Sequence, residues 1–223
     1  MVTRSLCLFL LVGSLIQVND ATSSVMVIAQ YIPKFLSLSV EITKVVGNGT
    51  QEIFNTQKHI KEVVDSAENK VKKQLADLDK FIAEAENKAS KNHTNITSCL
   101  IEEHQGINRI HLTIMEKCRL QNSVKHLYAF SLNLAKEELS LSIVIQWCII
   151  KHPLDGTKLK TCFDDKIDDV ESKITTFQNE IRTTLPEAMG YSDSCTARYS
   201  EGLNKATDTI YWTFKNCIEA VIS

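Results

Sequence analysis

At 223 residues the chain is long enough to bury a substantial core, and 43% hydrophobic with 23% charged residues is the composition of a folded protein. A formal charge of −2 gives no basic field to attract nucleic acid or an anionic lipid surface. Seven Gly and three Pro are too few for an all-β chain that turns about every ten residues, so the expectation is an all-α fold.

Arg4 is a short basic head, and Ser5 to Val18 is an apolar run too short to span a bilayer. Small residues follow at Ala21, Thr22, Ser23 and Ser24, which predicts a signal peptide over 1–21 cleaved near Ala21. A retained anchor is the alternative, and the apolar run is short for one. Secretion and no stable membrane insertion are expected.

From Val25 to Gly47 the chain is apolar. Pro33 suits a first helical turn, with Phe35, Leu38, Ile42 and Val45 at helical spacing and Gly47-Asn48-Gly49 as a stop. A helix over 33–46 is predicted, with 25–32 either its extension or a strand. Beyond Thr50, apolar residues at Ile60, Val64, Ala67, Val71, Leu75, Leu78, Ile82, Ala85 and Ala89 step by three and four, a heptad seam with one stutter at Val71–Leu75. This predicts a long amphipathic, coiled-coil-like helix over 50–90, on the order of 60 Å at about 1.5 Å per residue. Its narrow stripe must pack on a partner helix, in this chain or in a second copy, and so offers a surface for homo-oligomers.

Lys91 to Asn95 breaks the pattern as an exposed loop. A helix over 96–120 follows through Leu100, Ile107, Ile110, Ile114 and Cys118. Gln121-Asn122-Ser123 is a weak break before the next helix, 124–151, and one helix over 96–151 is the alternative. Residues 139–145 alternate like a strand, but strong helix formers flank them. Pro153 to Gly156 makes a corner, and Phe163, Ile167, Val170, Ile174, Phe177, Ile181 and Leu185 form the next heptad. Pro186 then reads as a helix stop, Gly190 as a turn, and Ser192-Asp193-Ser194 as the cap of a last helix over 195–221. The expected organisation is a signal peptide (1–21), N-terminal helices (22–95) and a disulfide-stapled antiparallel helical bundle (96–223).

Cys7 leaves with the signal peptide, and an even six cysteines in a secreted chain read as three disulfides. Their intervals of 18, 29, 13, 32 and 21 residues contain no closely spaced metal-ligand pair and no CxxC. The corner sets Cys148 opposite Cys162. If 96–120 runs antiparallel to 195–221, paired positions share a nearly constant sum of residue numbers, 316 for Cys99 with Cys217 and 313 for Cys118 with Cys195. The parallel pairing, Cys99–Cys195 with Cys118–Cys217, matches in spacing and is rejected by topology alone. One unbroken helix over 96–151 would put Cys217 beyond the reach of Cys99.

No nucleophile elbow, phosphate-binding loop, HExxH or dinucleotide fingerprint occurs, and neither catalysis nor a cofactor is expected. His104, which follows Glu103, shares a helix face with His111 at a spacing too wide for a metal pair. Asp164, Asp165, Asp168, Asp169 and Glu171 resemble a calcium loop only loosely. Ile167 and Val170 interleave them at helical spacing, and acids are favoured at a positive helix terminus. Trp147, Tyr199, Tyr211 and Trp212 are either a lining for an apolar pocket or ordinary core.

Insect odorant-binding proteins are also secreted, helical and six-cysteine, but their closely paired cysteines are missing here. The layout of Cys99, Cys118, Cys148 and Cys162 at helix ends, with the Cys148–Pro153–Gly156–Cys162 corner, resembles the TsetseEP-type domain of dipteran secreted proteins over about 96–220. The Glu-Pro repeat tail of that family's namesake is absent. The resemblance implies an extracellular protein of insect gut or haemolymph, a role in defence and no established catalysis. The expected partner is a protein or a glycan on a microbe, and the alternative function is carriage of a lipid or small apolar ligand between the helices.

Three Asn-X-Ser/Thr sequons stand at Asn48, Asn92 and Asn95. The secreted chain is expected to begin near Ala21 and to carry sugar on Asn48 and on at least one of Asn92 and Asn95. N-terminal sequencing and gel mobility after enzymatic deglycosylation check this, and unchanged mobility would remove the sugar.

Overall fold

The computed structural model describes residues 22–100, 118–119 and 121–222. Among them there is no strand. The protein is all-α, with α1 (Thr22–Lys91), α2 (Gln121–Lys151), α3 (Gly156–Ile222) and a helical turn over 97–100. The segment 1–21 and most of the helix expected over 96–120, including Glu103, His104 and His111, lie outside the described residues.

The expected stop at Gly47-Asn48-Gly49 does not exist, and 25–32 is helical. A single seam runs through Ile28, Tyr31, Phe35, Leu38, Ile42, Val45, Gly49, Ile53, Thr56, Ile60 and Val64, all buried at steps of three or four. The two glycines play opposite parts. Gly47 faces outward with nothing within 4 Å of where a Cβ would stand, whereas a Cβ on Gly49 would come within 2.5 Å of Ile181 and 2.7 Å of the Phe177 ring. Gly49 is the close-approach point at which α3 enters the seam. Pro33, expected in a first turn, lies inside α1 on its exposed side. An interior proline costs about 3 kcal/mol, while each large buried apolar side chain contributes about 1.5–3 kcal/mol, so the seam on either side outweighs it.

α1 ends in a Schellman motif. Thr94 N donates to Ala89 O (2.9 Å) and His93 N to Ser90 O (3.2 Å), with His93 in the left-handed region at φ 56°. Asn95 Oδ1 then accepts from Thr97 N (2.9 Å) to start the next helical turn. The later break falls at Cys118–Arg119 rather than at Gln121–Ser123, which excludes one unbroken helix over 96–151. Arg119 is held there by Asp65 at 2.7 Å and Glu68 at 3.6 Å. The strand-like alternation over 139–145 is helical, because its apolar residues serve two faces: Leu141 and Ile145 inward, Leu139 and Ile143 outward.

At the corner, His152 N donates to Cys148 O (3.0 Å) to finish α2, and Asp155 Oδ1 accepts from Lys158 N (3.0 Å) as the N-cap of α3. α3 runs without interruption through Pro186 and Gly190, so the predicted stop, turn and cap there are all overturned. Leu185, Ala188, Ser192 and Cys195 keep the seam in phase while Pro186 faces out. Ser194 Oγ donates back to Tyr191 O (3.0 Å) within the helix instead of capping a new one.

The chain clusters into two compact units, each drawing on both halves of the sequence. The first combines the described parts of 1–55 and 122–185. Phe35 packs edge-on against Phe163, and Phe130 lies against Phe177, both at 5.3 Å between ring centres. There α1 runs parallel to α3, with Phe35 meeting Phe163 and Gly49 meeting Phe177, and α2 runs antiparallel to α3. The second combines the described parts of 56–121 and 186–223. Val64 and Val71 pack with Cys118, Cys195 and Leu203, while Leu78, Ile82 and Ala85 pack with Cys99 and Phe214. The seam over 60–89 therefore finds its partners within the same chain.

Cys148 is bonded to Cys162 in the first unit, with Cα atoms 6.0 Å apart. In the second, Cys99 is bonded to Cys217 (5.7 Å) and Cys118 to Cys195 (5.5 Å), the antiparallel register set out above. In the chain-entropy account, closing a loop of about 15 residues contributes about 3 kcal/mol and one of about 100 residues about 4.7 kcal/mol.

Gly49→Ala is expected to lower stability by about 1–3 kcal/mol through overpacking, and Gly47→Ala to raise it by about 0.5–1 kcal/mol through lost chain entropy. Both keep the Asn48 sequon. Denaturant titration separates them, and equal effects at the two positions would remove the close approach.

Candidate functional site

α2 has two apolar faces. Its inner face (Val124, Leu127, Leu134, Leu141, Ile145 and Cys148) is core. Its outer face carries Tyr128, Leu132, Leu139, Ile143, Trp147 and Ile150, and Leu154 follows in the corner, all exposed. Steps of 4, 7, 4, 4, 3 and 4 put these residues on one stripe. Between Glu138 and Lys151 every exposed residue is a large hydrophobe, with Leu139 at 73% and Ile150 at 77% exposure. Contiguous exposed apolar surface makes this stripe the candidate site of the first unit.

The charges of α2 are sorted by face. Glu137 turns inward, accepting from Lys166 Nζ (2.8 Å) and Lys173 Nζ (2.6 Å) of α3, and both lysines also bond Asp169. Glu138 accepts from Ser39 Oγ (3.2 Å). Lys136 and Lys151 stay exposed at the two ends of the apolar run, with Lys151 Nζ 4.4 Å above the Trp147 ring. A shallow groove of about 500 Å³ runs beside Trp147, lined also by Lys151, His152, Lys158, Asp165 and Asp169. In the second unit a similar groove of about 450 Å³ includes His59, Glu62 and Lys70 from α1 and Asp193 from α3, with His59 Nε2 3.1 Å from Asp193.

The other residues singled out from the sequence are dispersed. Asp164 accepts from the Tyr31 hydroxyl and from Lys160, and these bonds hold its carboxyl below the usual carboxylate range. Asp169 is lowered by its bonds to Lys173 and Lys166. Among the described residues no group of three or more His, Cys, Asp or Glu is placed to hold a metal ion. Trp147 belongs to the first unit. Tyr199, Tyr211 and Trp212 belong to the second, where Tyr211 packs on Phe81 at 4.6 Å and Trp212 is exposed. Asn48, Asn92 and Asn95 are exposed, Asn48 within a helix. Near its start α1 contains a window with mean hydropathy 1.4, long and apolar enough to cross a membrane by length and composition. Ile28, Tyr31, Phe35 and Leu38 of that region face the core of the first unit.

No protein-family model, curated protein or solved structure matches the chain.

Sequence reasoning missed the outer stripe and the Glu137 clamp. The signal for the stripe was present, since residues 139–150 hold more large hydrophobes than one helix face accommodates. Burial pushes the Glu137 carboxyl up, but the hydrogen bonds from Lys166 and Lys173 outweigh it and leave the group below its ordinary value. A carboxyl depressed on folding contributes stability above its unfolded value, about 4.3, which is lost as pH falls through the lower folded value. Glu137→Ala should cost about 2 kcal/mol at pH 7 by removing hydrogen bonds to charged groups. That difference should shrink as pH falls below about 4. Denaturant titration at pH 7 and pH 3 checks both, and a pH-independent difference would mean the carboxylate is not the source.

Proposed function

We propose that the protein is a secreted, non-enzymatic glycoprotein that acts by binding a protein or a microbial surface, in defence of insect gut or haemolymph. The exposed apolar stripe on α2 carries this reading, because a chain acting by contact must present a surface that it does not itself bury. Three disulfides fit an oxidising compartment, and exposure of all three sequon asparagines fits export with glycosylation. The dipteran setting rests on the resemblance to TsetseEP-type domains in the layout of Cys99, Cys118, Cys148 and Cys162.

The glycosylated chain is expected to cosediment with bacterial or yeast cells, or to enter a larger complex in extracellular fluid. Ile143→Asp with Ile150→Asp should weaken this association at least tenfold, with unchanged helicity because both side chains lie outside the core. Equal association by the double variant would take the function away from this face. Apolar extraction of the purified protein followed by mass spectrometry addresses carriage, since a carrier arrives loaded.

A further inference from the structure

We infer that the outer face of α2 docks on an anionic phospholipid surface, an assignment of the partner that rests on the interaction reading above. An interfacial helix pairs an apolar face with basic residues that reach the headgroups and with tryptophan at the boundary. Leu139, Ile143, Trp147 and Ile150 are that apolar face, and Leu154 carries it into the corner at the end of the hairpin. Lys136 and Lys151 bracket it. Lys151 lies over the Trp147 ring, so the ammonium and the indole occupy the same level of the surface.

The two acids of α2 beside the stripe are partly buried and hydrogen-bonded. Glu137 is enclosed by Lys166 and Lys173, and Glu138 bonds Ser39. Asp169, in the groove beside Trp147, is bonded to the same two lysines, which leaves Asp165 as the one further carboxylate lining that groove. Between Leu132 and Lys151 the exposed charged residues are therefore both lysines, although the chain has a formal charge of −2.

A second copy fits this face less well. Turned antiparallel about Ile143, two α2 helices would set Leu139 against Trp147 and Lys136 against Ile150, one residue from Lys151, bringing like charges close together. In parallel register each lysine would meet itself. An anionic surface satisfies both ends at once.

The test uses the full glycosylated chain with Trp212→Phe, so that emission reports Trp147, and vesicles of phosphatidylcholine with 30% phosphatidylserine or of phosphatidylcholine alone. Expected are cosedimentation with the anionic vesicles and a blue shift of Trp147. Binding should be at least tenfold weaker to neutral vesicles, in 0.5 M salt, for Lys136→Glu with Lys151→Glu, and for Ile143→Asp with Ile150→Asp. Circular dichroism confirms that each variant is folded, and the lysine pair tests the face should the aspartates disturb it. Absence of vesicle binding overturns the assignment, as does equal binding by the variants. A concentration-dependent dimer in sedimentation equilibrium that the aspartate pair dissolves gives the face to a second copy. Face-dependent binding to cells without binding to vesicles overturns the lipid partner and leaves the interaction reading intact.

Discussion

The phase of one apolar seam decides the course of both long helices. A helix continues through a residue of poor propensity when the buried positions on either side stay on one face, because a break would strand half of the seam in water. On α1 the phase holds from Val45 through Gly49 to Ile53, and on α3 from Leu185 through Ala188 to Ser192. Gly47, Pro33 and Pro186 all lie on the exposed side. There the backbone carbonyl that a proline leaves unpaired can be hydrated, and a glycine costs only about 1 kcal/mol.

This explains which parts of the fold were legible. The heptad over 60–89, the corner at Pro153–Gly156 and the cysteine register depend on periodicity and chain direction, both readable from residue numbers. The expected stops at Gly47–Gly49 and Pro186–Ser194 do not form because the phase of the buried positions outweighs local composition. Nothing local distinguishes a glycine that ends a helix from one that admits a neighbour. Gly49 is the second kind because Phe177 and Ile181, more than 120 residues later, occupy the space its side chain would fill. The Asp155 cap and the left-handed His93 follow from backbone geometry that sequence only weakly constrains.

The charges beside the outer face of α2 depart from the chain average. A net charge near zero gives no general attraction to anions, yet Glu137 and Glu138 are turned into hydrogen bonds inside the first unit while Lys136 and Lys151 stay exposed. The strand-like alternation of 139–145 has the same origin, since a helix apolar on two faces produces alternating apolar residues over short stretches. What looked like ambiguity of secondary structure was a record of a second surface.

The long sequence separations of two disulfides, 77 for Cys118–Cys195 and 118 for Cys99–Cys217, bear on biosynthesis. At about 5–20 residues per second, Cys118 and Cys99 precede their partners out of the ribosome by roughly 4 to 24 seconds. Throughout that interval the two thiols, with only 18 residues between them, have each other as the nearest available partner. Their correct pairing waits on the last helix of the chain, so the native disulfides depend on an environment that can reshuffle a premature Cys99–Cys118 bond as well as form new ones. Cys148 and Cys162, separated by 14, face no such delay.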